Sequence, residues 1–134
     1  MIVVDTNIIA YLVLPSLRRA DAVRLLRKDH LWRAPLLWRS EFRNVVAGLL
    51  RRGELSAPEA LTAYDQAAAL LRNGELPPDS RIVIDCIANS TLSAYDCEFV
   101  AVAQELSIPL VTADRGILRS FPGVATTLEA YLAA

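Results

Sequence analysis

The stretch MIVVDTN at residues 1–7 decides the class of fold. Its first four residues, MIVV, form an apolar and mostly β-branched run that predicts a short buried strand. Asp5, Thr6 and Asn7 follow that strand directly. In open α/β sheets the functional groups gather where the strands end. This segment therefore predicts the first part of a site at the carboxyl edge of a sheet.

Outward from this stretch, strand-like and helix-like segments alternate along the chain. Serines that are typical helix N-caps precede four runs of apolar residues at helical spacing. Residues 81–84 fit either a strand or the start of a helix through Ala88. The alternation predicts one α/β domain over residues 1–134 with a mostly parallel sheet. The predicted helices cover residues 17–29, 40–52, Ser56 to Asn73–Gly74, Ser93 to Leu106, a short turn of helix at 114 and 128–132; the predicted further strands cover 31–37, 108–112 and 124–126.

Composition excludes several classes of protein. The chain has 134 residues, of which 54% are hydrophobic and 22% charged, so it can bury one core and is not disordered. No apolar run approaches the roughly 20 residues of a membrane span. The N-terminal stretch has no basic segment before its apolar residues, so we expect no signal peptide. Cys86 and Cys97 lack a CxxC spacing, and we expect two buried thiols and a cytoplasmic location.

Charge is distributed unevenly between the two parts of the chain. Residues 1–53 hold ten Arg or Lys and four Asp or Glu, whereas residues 54–134 hold four and eleven. This asymmetry fits a nucleic-acid surface beside an acidic site, although charge counts alone favour ordinary solvated helix faces. Arginine suits phosphate contacts. The candidate RNA-binding residues are Arg18, Arg19, Arg24, Arg43, Arg51 and Arg52.

Four acidic residues are candidates for a shared site. Asp5 and Asp114 follow predicted strands, and Glu41 and Asp96 fall in the first turns of predicted helices. Each alone fits a helix cap or a favourable dipole interaction. Together, carboxylates about 5 Å apart would repel one another by roughly 3 kcal/mol at an effective dielectric constant near 20. A cluster would need a cation, and oxygen ligands select Mg²⁺ or Mn²⁺.

The order of these segments resembles the PIN-domain family and, within it, the VapC-type toxin ribonucleases of bacterial toxin–antitoxin pairs. The resemblance implies a three-layer α/β/α sandwich with a short, mostly parallel sheet of four or five strands. It also implies Mg²⁺- or Mn²⁺-dependent cleavage of RNA, a homodimer, and a cognate antitoxin that blocks the site. The segments that carry the resemblance are MIVVDTNIIAYL, SEFRNVVAGLL, LSAYDCEFVAVAQELSIPLVTADRGIL and VATTLEAYL.

The resemblance assigns roles to individual residues. Asp5 and Asp96 would contact the metal most directly, and Glu41 and Asp114 would complete the pocket of one or two ions. Thr6, Asn7 and Thr112 match polar positions that orient the carboxylates.

Neighbouring residues extend or limit this assignment. Some relatives carry a further acid after the fourth; Arg115 and Gly116 stand there in this chain, which argues against a second ion. Helical direction places Glu98 on the surface, away from Asp96, and Asp85 has no assigned role. Trp32 and Trp38 are expected to pack in the core or in a dimer interface.

Two other functions compete with the nuclease. One is an Asp-based phosphoryl-transfer or receiver-like protein, but the only lysine, Lys28, falls in an outer helix, and Asn7 replaces the second acid of a DxD pair. The other is a catalytically inactive PIN-fold binding module, which the presence of all four acids disfavours.

Overall fold

Strands and helices alternate along the whole chain, and the computed structural model describes residues 1–134. The strands are β1 (Ile2–Val4), β2 (Trp32–Pro35), β3 (Glu75–Leu76), β4 (Leu110–Val111) and β5 (Ala125–Thr126). The helices are α1 (Thr6–Val13), α2 (Arg19–Lys28), α3 (Trp38–Arg51), α4 (Ala57–Leu71), α5 (Ser80–Ala88), α6 (Ala94–Leu106), α7 (Arg115–Ser120) and α8 (Leu128–Ala133).

The five strands form one sheet in the order β3-β2-β1-β4-β5, and every pairing is parallel. All three residues of the central strand β1 are fully buried, so both faces of the sheet are covered. Helix α6 packs on β1, β2 and β4, and α5 packs on α6. Helices α1, α3 and α4 pack on one another, and α4 also contacts β2. The predicted α/β class is confirmed, and the sheet predicted as mostly parallel with four or five strands has five strands that are all parallel.

The strand order creates a crevice beside β1. From β1 the chain adds strands in one direction through β2 and β3, and later adds β4 and β5 on the other side. The register pairs Val4 with Val111, and the backbone N–H of Asp5 donates to the carbonyl of Val111 at 3.2 Å. Ligands bind at such a reversal of strand order in α/β sheets. Asp5 lies at this point, and Asp114 follows the neighbouring strand.

Some elements differ from the sequence-based prediction. Helix α1 starts directly after Asp5 and was not predicted, and neither was the two-residue strand β3. Ser16 is not the N-cap of α2; its Oγ accepts from the backbone N–H of Arg18 at 3.0 Å, and the helix begins at Arg19. Helix α3 begins two residues before Ser40. Residues 80–88 are helical, which decides the ambiguous segment.

The core extends from the sheet to an aromatic cluster between α3 and α4. Trp32 and Trp38 are buried in this core, as expected. The ring of Trp38 contacts Phe42 edge-on at 5.9 Å and stacks on Tyr64 at 5.8 Å between centroids. No helix is both long enough and apolar enough to cross a membrane.

Candidate active site

An open cavity of about 600 Å³ lies where β1 and β4 end. Its lining contains four acidic side chains and no Arg, Lys or His. The rest of the lining comes from α1, from the first half of α3 and from the starts of α6 and α7. The four acids that the sequence analysis singled out therefore face one space: Asp5, Glu41, Asp96 and Asp114.

Asp5 is the most buried of the four acids, at 7% exposure. As the N-cap of α1 it accepts the backbone N–H of Ile8 through Oδ1 at 3.1 Å. Its Oδ2 accepts from the hydroxyl of Thr112 and from the N–H of Ala113 at 3.2 Å. Burial raises the pKa of Asp5 above its ordinary value, the charge of Asp114 adds to the rise, and these hydrogen bonds oppose it. The carboxylate is thus fixed in orientation but not neutralised.

Glu41 belongs to the first turn of α3 and lines the cavity. The hydroxyl of Thr6 donates to its Oε1 at 2.7 Å, which ties α3 to the start of α1. Burial raises the pKa of Glu41, and the charge of Asp96 adds to the rise, whereas the Thr6 hydrogen bond lowers it.

Asp96 and Asp114 sit at the starts of two helices. Ser93 caps α6 and its Oγ accepts the N–H of Asp96 at 3.1 Å. Burial raises the pKa of Asp96, and the charge of Asp114 adds to the rise. Asp114 caps α7 by accepting the N–H of Ile117 through Oδ1 at 2.8 Å, and its own N–H donates to the Oγ of Thr112 at 3.0 Å. Thr112 therefore links the carboxylate of Asp5 to the backbone of Asp114.

The carboxylates form one electrostatic unit without a counter-ion from the protein. The charge of Asp114 acts on Asp5 and Asp96, and the charge of Asp96 acts on Glu41. No three of the acidic side chains close into a preformed metal cage. The cavity is therefore lined by buried and half-buried acids, and it is open to solvent.

The predicted supporting residues lie in or next to the cavity: Thr6 and Asn7 line it, and Thr112 contacts Asp5. Thr6 and Thr112 are buried and each donates its hydroxyl to one of the four carboxylates. Asn7 lines the cavity with an exposed side chain. Their roles as orienting groups remain predictions that the contacts of Thr6 and Thr112 support.

Three polar or aromatic residues of the cavity were missed by the sequence analysis. Ser40 and Asn44 lie on α3 on either side of Glu41, and Tyr95 immediately precedes Asp96. Helical spacing would have found Asn44, because it stands three residues after Glu41 and shares its face. Tyr95 gives no comparable signal, since an aromatic residue in a first helical turn is usually part of the core.

Two acids outside the four behave differently. Glu98 was predicted to lie on the surface, away from Asp96. It does not line the cavity and its side chain is partly buried; besides burial, the charge of Glu41 raises its pKa. Asp85 is exposed on α5 and accepts from the side chain of Asn89 at 3.2 Å.

The arginines that were predicted to bind RNA lie away from the cavity lining. Arg18 is paired with Glu129 and Asp21, and Arg52 with Glu54 at 3.3 Å. Arg43 lies over the ring of Tyr64 at 5.9 Å. The exposed residues Arg19, Arg24 and Arg51 also line no part of the cavity.

Comparison with known proteins places this geometry in a family. No curated protein sequence matches the chain. FitAcB from Neisseria gonorrhoeae is similar in structure, with a TM-score of 0.75, 20% identity, and 96% of this chain and 99% of that chain covered. FitAB bound to the IR36 DNA fragment gives a TM-score of 0.71, 20% identity, and 96% and 95% coverage. PAE2754 from Pyrobaculum aerophilum gives 0.73, 20% identity, and 98% and 93% coverage. The PIN domain family matches residues 2–122, and the chain therefore belongs to that family.

Proposed function

We propose that the chain is a metal-dependent endoribonuclease that cleaves RNA phosphodiester bonds with Mg²⁺ or Mn²⁺. PIN domains are generally nucleases, and one observation carries the proposal for this chain: four carboxylates line a single cavity that contains no basic side chain. Such a set of oxygen donors favours a hard divalent cation over zinc or copper, which prefer nitrogen and sulfur ligands. An inactive PIN-fold module has no need to keep four buried or half-buried acids together without a basic partner.

Each acid has a place in this mechanism. Asp5 and Asp96 would hold the ion most directly, and Glu41 and Asp114 would complete the pocket. When bound, a divalent ion supplies a nucleophilic water at neutral pH and neutralises charge on the phosphate.

The surrounding residues prepare the carboxylates for this task. Thr112 and the N–H of Ala113 hold Oδ2 of Asp5, and the hydroxyl of Thr6 holds Oε1 of Glu41. These hydrogen bonds favour the ionised form of each carboxyl group and so oppose the burial that raises its pKa. Supporting contacts of this kind commonly change metal affinity or activity by 10- to 100-fold.

Two further parts of the proposal concern partners. The resemblance to VapC-type toxins supports a cognate antitoxin and a homodimer, and one similar structure is FitAB bound to a DNA fragment. Cys86 and Cys97 are both free and buried, in keeping with a reducing cytoplasm. Light scattering of the purified chain tests the dimer, and co-purification with the product of a neighbouring gene tests the antitoxin.

The experiment that tests the nuclease is cleavage of a labelled RNA by the purified chain. We expect cutting with Mg²⁺ or Mn²⁺, none with EDTA, and none from Asp5→Asn or Asp96→Asn. Asp85→Asn is the matched control, because Asp85 is an exposed acid that does not line the cavity. Equal cutting by wild type and Asp96→Asn would refute the proposal, as would cutting that survives complete removal of the metal.

A further inference from the structure

The rim of the acidic cavity carries an exposed aromatic ring. Tyr95 is the second residue of α6 and lines the cavity, yet it is 62% exposed. Among the large apolar side chains that are exposed in the structure it is the one with an aromatic ring. The neighbouring ring of Phe99 is 2% exposed and belongs to the core. Tyr95 thus presents apolar surface to solvent without packing in the core.

The position of Tyr95 relates it to the carboxylates. It is adjacent in sequence to Asp96, so the two Cα atoms are about 3.8 Å apart. Ser40 and Asn44 of α3 line the same cavity with exposed hydroxyl and amide groups. The cavity therefore combines an acidic floor, an aromatic rim and a polar wall. Its volume of about 600 Å³ is that of a site for one small molecule or one nucleotide.

We propose that Tyr95 stacks on the base of a nucleotide next to the scissile phosphate. The inference deepens the proposed function and rests on it. A base inside a duplex is stacked on both faces, so a protein ring can reach a base face only in a loop, bulge or single strand. Stacking tolerates any base, because every base has a π-face.

A helix-bound position makes Tyr95 suitable for this role. The ring is attached to the first turn of α6, where the backbone N–H of Asp96 donates to the Oγ of the N-cap residue Ser93 and fixes the backbone. The residue that would hold the base and the residue that would hold the metal thus share one rigid element. A base seated on the ring would bring its own phosphate toward the carboxylates.

The test measures binding separately from cleavage. The probe is a single-stranded hexaribonucleotide that carries one 2-aminopurine, whose fluorescence reports stacking, bound with Mg²⁺ to proteins in the Asp5→Asn background. We expect Tyr95→Phe to bind within about twofold of its parent, and Tyr95→Leu to bind roughly 5- to 100-fold more weakly with loss of the fluorescence change. Affinity for a blunt RNA duplex should not change.

The controls distinguish a failure of the stacking role of Tyr95 from a failure of the nuclease proposal. Leu61→Ala removes an equally exposed apolar side chain, 66% exposed on α4, and should leave binding unchanged. Unchanged hexamer binding by Tyr95→Leu, or equal losses in Tyr95→Phe and Tyr95→Leu, would overturn the stacking role. If the wild type fails to cut RNA but Tyr95→Leu still weakens hexamer binding, the nuclease proposal falls and the base contact stands.

Discussion

Some buried or partly buried carboxylates of the molecule are paired with a basic side chain, and others are not. Glu75, on the edge strand β3, accepts two hydrogen bonds from Arg39, each shorter than 2.8 Å, and one from the indole N–H of Trp38 at 2.8 Å. The contact with Arg39 lowers the pKa of Glu75, with a smaller contribution from Trp38 against the effect of burial. In the cavity, burial raises the pKa of Asp5, Glu41 and Asp96, and no basic side chain lines the site.

The difference separates an acid that the protein itself neutralises from the acids that the proposed function assigns to a metal site. Glu75 links β3 to the start of α3 through its hydrogen bonds with Trp38 and Arg39, and Arg39 is its counter-charge. The four cavity acids lack such a counter-charge, so the folded state keeps an unfavourable interaction that an external cation would relieve. Strained or unfavourable groups that the surrounding fold sustains cluster at functional sites. Each prediction below changes one side of this comparison.

The largest effect is expected for Asp96→Asn. Removing this charge should lower RNA cleavage by more than about 100-fold, the upper end of the effect of a supporting residue, because Asp96 would contact the metal itself. The same change should raise the melting temperature in EDTA, since it relieves repulsion from Asp114 on Asp96 and from Asp96 on Glu41. Calorimetry and a cleavage assay on one preparation measure both.

Asp5→Asn is the informative companion to that variant. It should lose cleavage equally but gain less stability, because an amide nitrogen in place of Oδ2 cannot accept the N–H of Ala113. A fall in both cleavage and melting temperature for Asp96→Asn would contradict the comparison, since it would mark Asp96 as a structural acid like Glu75.

The next effect is expected at the neutralised acid. Glu75→Ala removes the partner of Arg39 and leaves the indole N–H of Trp38 without an acceptor. Because Arg39 is partly exposed and can be hydrated, we expect a loss of about 2 kcal/mol in the free energy of unfolding, measured in urea. Cleavage by the folded fraction should not change. A loss of cleavage without a loss of stability would contradict the assignment of Glu75 as an acid that stabilises the fold.

The sequence predicted most of the fold because its signals are local. The β-branched run before Asp5, the capping box at Ser56 and the cap at Ser93 each specify an element within a few residues, and the structure contains all three. Strand β3 escaped prediction because its two residues carry no periodicity. Pairing of β3 with β2 requires a glycine just before β3, because a Cβ on Gly74 would lie 2.0 Å from the carbonyl oxygen of Trp32. The sequence showed Gly74 only as a plausible helix end.

The candidate site was predictable only in part. The acids at strand ends and in first turns were found, because parallel strands end at one edge and the family resemblance supplied the order. Asp5 also starts a helix that was missed, since an Asp after a strand gives the same signal whether or not a helix follows. The place of Tyr95 in the cavity and the charge effect of Glu41 on Glu98 were not predicted, because both depend on the tertiary placement of α6 relative to α3, which a single sequence does not specify.

A smaller effect is expected from pH in the metal-free protein. An acid with a raised pKa destabilises the fold when ionised, and this cost disappears as pH falls toward the ordinary values of 3.8 for Asp and 4.5 for Glu. The stability from Glu75, whose pKa is lowered, is lost only below its ordinary value of 4.5. We therefore expect the melting temperature in EDTA to rise by a few degrees as the pH is lowered from 7 to 4.5, and to fall at lower pH.

Variants assign this rise to one side of the comparison. Asp96→Asn should reduce the rise, and Glu75→Gln should leave the rise intact while reducing the later fall. A melting temperature that decreases steadily from neutral pH would show that the cavity acids are not destabilising.

The smallest effect concerns the arginines. Like the acids, some of them are paired with an opposite charge and others are not. Arg18 is satisfied by Glu129 and Asp21, whereas Arg115 is exposed, forms no ion pair and directly follows Asp114 at the cavity. A free cation beside the site can meet a flanking phosphate, and each such contact to a single strand contributes about 0.7 to the slope of log affinity against log salt. Arg115→Gln should therefore weaken binding of a single-stranded RNA a few-fold and reduce that slope by about 0.7, whereas Arg18→Gln should change neither. The opposite ranking would show that RNA crosses the basic face of α2, and that ion pairing in the free protein does not decide which arginines meet the substrate.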